Sequence, residues 1–568
     1  MTALLIRLET LGSGWIARMS DTRFAVIVVG LLTALIVLPG QLALPVTDRD
    51  EGRYIQASKQ MMESGDYVDI RFRDVPRYKK PVGIYWLQVA AAKITGFGAE
   101  APHWVYRLPS ALGIIGAALL TIWAVRPITG QPGAALAGLI VGTTTLSMGE
   151  GHIAKTDAAL LFTVVALQGA LLRIWLDEQV PRFDAVRGIF WTAMAAGILI
   201  KGPIILIVAG GTLLWLCVSE RSVDPWRQTR PLLGLALLVV LALPWFIAIG
   251  IISEGAFYGA SVGDDLLDKV GAASNAHWGP PGYYLMTIWI SFFPWAALSL
   301  AALTHAWAHR SSDAVRFLAA WAIPFWTVFA VTTTKLPHYI LPILPVIGAL
   351  IGLWLTAERP EQGWRRLGAV MFVVGGGVLV ALPLVAMTMF AGGPDLQVIS
   401  IAAAGAVITL LGAVALWRGA LRAHIGLVLA AAVLLLPTLP AIVIPKIPAI
   451  FPSPHITSLH QRFDACAPQP LWTIGYREPS LLHYAGTEAV FADPSEAVEL
   501  FASGRPGARM IFDLSWPEAD VEAVAVAAQT PLFELGRIEA FNTNRGHPTT
   551  LALMAADRDA ALLAPCAD

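Results

Sequence analysis

The stretch "FAVIVVGLLTALIVLPGQLALPVTDRDEGRY", residues 24–54, runs from an apolar segment straight into a cluster of charge. Residues 24–44 hold no ionisable side chain, and only Pro45, Val46 and Thr47 separate them from Asp48, Arg49, Asp50, Glu51 and Arg53. About 20 apolar residues suffice to cross a bilayer as a helix, so the first part reads as a membrane span and the second as its mouth. Ionisable groups at the edge of a membrane are expensive and tend to serve function.

The rest of the chain agrees. Of 568 residues, 56% are hydrophobic and 14% charged, whereas a soluble domain carries about a quarter charged residues. About thirteen apolar stretches have the length of membrane spans. They predict a polytopic α-helical membrane protein. The net charge of -1 excludes a general polyanion-binding role, so any anion site must be local. No cleavable signal peptide is expected, because residues 1–23 are mixed and amphipathic and the first apolar run is long enough to stay in the bilayer.

Arginines set the orientation. Arg7, Arg18, Arg23, Arg126, Arg173, Arg221, Arg310, Arg366 and Arg418 fall in the N-terminal segment or in every second loop, the side expected to be cytoplasmic. The opposite short loops hold single lysines such as Lys155, Lys201 and Lys335. An odd number of spans then places everything after about residue 445 outside the cytoplasm. Two domains are expected: residues 1–445 in the membrane, with a juxtamembrane outward loop at 46–105, and a tail at 446–568. The tail opens on the Pro-rich "IPKIPAIFPSPH" and alternates strand-like "PLWTIGY", "AVFA" and "ARMIFDL" with helix-like segments, which predicts a small α/β domain. Cys466 and Cys566 bracket it, and outside the cytoplasm a disulfide between them is expected.

The outward loop departs from the charge rule, with Arg53, Lys59, Arg71, Arg73, Arg77, Lys79, Lys80 and Lys93. Its segments "DEGRYIQASKQMMESG" and "KPVGIYWLQVAAAKITGFG" read as helices lying on the membrane, each stopped by glycine. Their basic residues either meet lipid headgroups or build a site for phosphate. The duller alternative makes Asp48 or Asp50, and likewise Asp157, no more than helix caps, and has Lys80 or Lys155 snorkel. These outward groups come from separate loops on one face, which is where a single site would be built.

Six ordered motifs carry a family resemblance: "RDEGRY", "KKPVGIYWL", "RLPSAL", "KTDAAL", "KGP" and "KLPHYILPILP". Over about residues 20–355 the chain resembles the aminoarabinose (lipid A) transferase and protein O-mannosyltransferase group of polyprenyl-phosphate-sugar glycosyltransferases. The tail resembles the lipid A branch. The resemblance implies a C-type glycosyltransferase fold and a sugar donor held by one phosphate to a polyprenol. It implies Asp50 as the catalytic aspartate, with Glu51 beside it, and Lys80, Arg53 and Lys201 at the donor phosphate. Asp157, Tyr54, Tyr85, His338 and Tyr339 are then expected to line the cavity.

The residue types suit that chemistry. Displacing polyprenyl phosphate from an anomeric carbon builds negative charge on the leaving oxygens, which fixed cations stabilise. A carboxylate opposite takes the proton of the attacking group or supports the oxocarbenium-like centre. One departure stands out: Lys79 occupies the place where the family often has an acid before its Lys-Pro. "DRD" is also an Asp-x-Asp, a pattern with which other C-type enzymes hold a divalent cation, here through Asp48 and Asp50. Two carboxylates are too few to specify a metal, and none is assigned.

The expected function is transfer of one sugar from polyprenyl phosphate to lipid A or another glycolipid at the periplasmic face of the bacterial inner membrane, by a monomer without nucleic-acid partners. One rival is protein O-mannosylation. Another is a transporter or flippase for a lipid-linked sugar, against which stand the gathering of charge at one face and the lack of a visible internal repeat. The sequence leaves the sugar open between an amino sugar and a uronic acid.

Overall fold

The computed structural model describes residues 6–556 apart from 8, 11, 13, 15–16, 49, 178–183, 262, 264–277, 281, 358–362, 465–468 and 506. Cys466 and Cys566, the expected disulfide pair, lie outside the described residues.

Eight described helices are long and apolar enough to cross a membrane, and Thr22–Val37, Ile204–Glu220 and Ala296–Ala308 are shorter apolar helices. Two of the stretches read as separate spans, near residues 116 and 139, form one continuous helical assignment, His103–Gly142, which is broken at Gly130 by φ +67°. Forty helical residues would extend about 60 Å, twice the hydrocarbon thickness, so the chain must turn back. Gly130 supplies that turn, and a Cβ on Gly138 would lie 2.7 Å from the Ala118 carbonyl oxygen, so the two halves pack against each other. Glycine is needed twice: once for its positive φ and once for its missing side chain. Small residues at such crossings are how helices approach closely when lipid removes the hydrophobic drive between them.

The first long loop, expected at residues 46–105, forms helix Asp50–Ser64, a short hairpin of β1 (Arg71–Phe72) and β2 (Val75–Pro76), and helix Gly83–Ile94. Both loop helices read from the sequence are present. What fastens them to the bundle is a buried ion pair. Arg107, in the helix that follows, donates through Nε to Glu51 Oε1 at 2.7 Å and through Nη2 to Oε2 at 3.0 Å, with neither side chain exposed. Its remaining N–H groups reach the carbonyl oxygens of Gln41, Leu44 and Pro45. Glu51 in turn accepts from the Thr47 N–H and hydroxyl, each at 2.8 Å, and from the Ala154 N–H at 2.9 Å. Burial pulls the Glu51 carboxyl upward, but Arg107 and these backbone donors outweigh it and hold it below the usual carboxylate range.

The tail forms a five-stranded sheet of order β4-β3-β5-β7-β6, made of β3 (Trp472–Ile474), β4 (Val490–Ala492), β5 (Arg509–Asp513), β6 (Phe533–Asn542) and β7 (His547–Ala555). The three strands expected from the sequence are the parallel ones. The antiparallel hairpin β6–β7 was not legible: a register shift between Glu534 and Gly536 interrupts the alternation of β6. The domain stands on helix Asp50–Ser64 through its own short helix Ser480–Ala485.

Removing one partner from a buried pair leaves an uncompensated charge. Arg107→Leu is expected to destabilise the protein by about 3–5 kcal/mol, read as a lowered unfolding midpoint in detergent. The double variant Arg107→Leu/Glu51→Leu should recover part of that loss, because it removes both charges.

Candidate functional site

Close helix packing sets the geometry of the outer face. A Cβ on Gly83 would lie 2.8 Å from the Leu199 carbonyl carbon, and one on Gly113 equally close to that of Ala158. The first contact presses the loop helix that follows Lys80 against the end of helix Ala185–Lys201. The second docks the start of helix Thr156–Leu176 on the helix bearing Arg107. Gly202, at φ +65°, ends the helix directly after Lys201.

The result is a cleft lined by Lys79, Lys80 and Pro81 of the first loop, Asp157 and Leu160, Lys201 to Ile204, the end of helix Asp313–Val331, and His338 and Tyr339. Asp157 sits in the first turn of its helix, where the dipole favours an anion, and Lys201 in the last turn of its own, where it favours a cation. They meet: Lys201 Nζ donates to Asp157 Oδ1 at 2.5 Å. Lys155 Nζ lies 3.0 Å from Glu150 Oε1 and 3.9 Å from Asp157 Oδ2. The His338 ring stands between the two carboxylates, with Nδ1 3.9 Å from Glu150 Oε1 and Nε2 3.9 Å from Asp157 Oδ1. Lys201 Nζ also faces the Tyr339 ring at 5.8 Å. Five of the expected residues, Lys80, Lys201, Asp157, His338 and Tyr339, thus share one cleft. Lys79 joins them.

The others lie beside it. Asp50 is exposed in the first turn of its helix, and Arg53 is half-buried one turn on. Tyr54 and Tyr85, expected in the cavity lining, are 4% and 0% exposed and pack ring to ring at 5.4 Å, with Arg77 over Tyr54 at 5.1 Å. They belong to the buried core and not to the lining of the cleft. The charge of Asp50 is felt at Tyr54, Arg77 and Lys155, and Tyr54 feels Asp157 as well. The aspartate therefore stands over the same network of charges.

Two expectations change. Glu51, paired with Asp50 as catalytic, has every carboxylate direction spent on Arg107, Thr47 and Ala154, and no part of its side chain is exposed. Its work is structural. Asp48, considered with Asp50 as a cation site, turns instead to the tail, accepting the Ser480 N–H at 3.3 Å. Among the described residues no group of three or more His, Cys, Asp or Glu side chains is placed to hold a metal ion. Glu150 was missed, although it is the only acid in "TLSMGEGHIAK" and is 5% exposed. A lone acid at the end of an apolar run was the available signal.

A family model described as dolichyl-phosphate-mannose-protein mannosyltransferase matches residues 79–247. An undecaprenyl phosphate-alpha-4-amino-4-deoxy-L-arabinose arabinosyl transferase of Edwardsiella ictaluri is 28% identical over 371 residues, 64% of this chain and 65% of that relative. The enzyme of the same name from Pseudomonas aeruginosa is 29% identical over 359 residues, 60% of each. The matches span a little under two thirds of the length of these relatives. The crystal structure of ArnT from Cupriavidus metallidurans bound to undecaprenyl phosphate superposes with a TM-score of 0.72 over 96% of this chain and 99% of that one, at 21% identity. The fold is that of the C-type glycosyltransferases, and the resemblance carried by the sequence motifs is found again in the whole architecture.

Burial pushes the Asp48 carboxyl up to about 7, with Glu478 and Glu51 adding to the rise and the Ser480 hydrogen bonds opposing it. A carboxyl raised on folding contributes most below its ordinary value and loses that contribution as pH climbs through the raised one. Contact between tail and first loop is therefore expected to loosen from about pH 4 to about pH 7 and level off above. Hydrogen exchange of residues 479–484, corrected for intrinsic rates, should show that slope, and Asp48→Asn should flatten it.

Proposed function

We propose that this protein is an integral-membrane glycosyltransferase that moves a single sugar from a polyprenyl-phosphate donor to lipid A or another glycolipid, at the periplasmic face of the bacterial inner membrane. One observation carries the reading: segments distant in the chain bring three lysines, a histidine and a carboxylate into one cleft beside an exposed aspartate, in a bundle otherwise apolar. The names of the similar enzymes supply the donor class, undecaprenyl phosphate. The arginine distribution supports the outward placement of the cleft and tail.

In this reading an acceptor oxygen attacks the anomeric carbon as the bond to the phosphate oxygen breaks, and the phosphate leaves on its polyprenol. Asp50 takes the proton from the acceptor, or orients it and supports the positive ring carbon. Lys80 and Arg53 meet the charge gathering on the leaving phosphate. Lys201 already shares its charge with Asp157, so it contributes by holding that carboxylate and closing the phosphate end of the cleft. His338 and Tyr339 supply polar edges for the sugar.

The test is direct. Purified protein given an undecaprenyl-phosphate sugar should glycosylate lipid A, and mass spectrometry of lipid A and glycolipids from cells with and without the protein should show the added sugar. Asp50→Asn keeps size and capping ability but removes the charge, so it should abolish transfer while the protein still folds. Lys80→Ala should weaken binding of undecaprenyl phosphate and slow turnover about a hundredfold or more. Wild-type turnover in either variant overturns its assigned role.

A further inference from the structure

Helix Asp50–Ser64 divides its surface three ways. Asp50, Arg53 and Tyr54, three and four residues apart, share one side of the helix, while Glu51 and Ile55 turn into the bundle, both essentially unexposed. Gly52, Gln56 and Glu63, spaced four and seven residues apart, form a third stripe on one helix face. Every member of it meets the C-terminal domain. Gln56 Nε2 donates to Thr487 Oγ1 at 2.9 Å, and the Thr487 hydroxyl donates to Glu63 Oε2 at 3.0 Å. Gly52 has no side chain because there is no room for one: a Cβ there would lie 2.7 Å from the Ser480 nitrogen and 2.8 Å from the Pro479 carbonyl carbon. Just before the helix, Asp48 accepts the Ser480 N–H, and the Val46 N–H donates to the Tyr484 hydroxyl at 2.9 Å.

We propose that the C-terminal domain is a positioning element for the active site, with segment 479–484 buttressing the turn that carries Asp50. The inference rests on Asp50 being the catalytic carboxylate. The turn is gripped from two sides: the bundle fixes residue 51 through Arg107, and the tail fixes residues 46, 48 and 52. Asp50 lies between these anchors with its own side chain exposed. Backbone contact at Gly52 leaves no slack, since the first helical turn cannot slide along its axis without overlapping Pro479 or Ser480. Displacement of a reacting group by about 1 Å can cost about a hundredfold in rate without altering what binds. Ser480 and Tyr484 do not line the cleft, and their bonds to this turn go to Asp48 and Val46, so their effect on chemistry passes through the turn.

The experiment compares wild type, Asp50→Asn, Gly52→Ala and Tyr484→Phe, full length, in turnover, in KM for the donor sugar, in binding of undecaprenyl phosphate and in unfolding midpoint. Tyr484→Phe keeps the ring and removes only the acceptor of the Val46 N–H, so it remains folded if Gly52→Ala does not. The expected result is a fall in kcat of about tenfold or more for Gly52→Ala and severalfold for Tyr484→Phe, with KM and undecaprenyl phosphate binding within twofold of wild type. A domain that merely packs would change the midpoint and leave kcat per folded molecule alone, and that outcome overturns the proposal. So does a parallel loss of undecaprenyl phosphate binding, which would make the segment part of the donor site. Absence of transfer by wild type, or its survival in Asp50→Asn, overturns the functional reading and this inference with it.

Discussion

The Glu51–Arg107 pair is the constraint on which the outer half of the molecule depends. An ion pair with no solvent exposure is costly to bury and is tolerated only when its remaining donors and acceptors are satisfied. Here they are, by backbone groups of residues 41–47 and of Ala154. The bond network ties the end of the first span, the start of the first loop helix, the re-entering helix and the loop before Asp157. Asp50 is one residue from this knot, and Lys155 is one residue from Ala154. Fixing the knot therefore fixes two edges of the cleft at once.

The charges of the cleft follow a different logic. Outside it the helices present lipid-like surfaces, such as Leu232, Val240 and Ile251. Inside, cations outnumber carboxylates: Lys79, Lys80 and Lys201 line the cleft with Asp157 and His338, and the Lys155–Glu150 pair adjoins Asp157 and His338. In a region of low dielectric such an excess calls for an anion. A phosphate on a lipid tail, the donor class proposed above, would satisfy both surfaces. A transporter would place such charges near the midplane and between repeats, whereas here they gather where the loops meet.

The tail completes the arrangement from above. It meets the turn before Gly52 through backbone atoms at Gly52 and single hydrogen bonds at Val46 and Asp48, while one of its hydrophobic clusters, including Phe501, Met510 and Phe512, is separate from that of the membrane domain. A second cluster of the tail, with Leu481, Ile511 and Leu553, packs against Phe72 of the first loop, and Phe541 meets Phe390, so the two bodies are joined at further points besides the helix that carries Asp50.

Sequence alone determined whatever depends on composition and local pattern. The apolar stretches became helices, the first loop helix started at its acids, both loop helices stopped just before their glycines, and the parallel strands of the tail appeared where β-branched and aromatic residues ran. The motifs also brought Lys80, Asp157, Lys201, His338 and Tyr339 together on paper, and they do share one cleft. Tertiary structure decided which charges are buried in pairs and which stay exposed. Asp50 and Glu51 are adjacent and alike in sequence, but helical geometry turns neighbouring side chains about 100° apart. One meets solvent and the other Arg107, 56 positions further along the chain. Asp48 was likewise claimed by Ser480, 432 positions away. No local pattern encodes such partners, because the energy that selects them comes from burial and from hydrogen bonds that exist only once the distant segments have met.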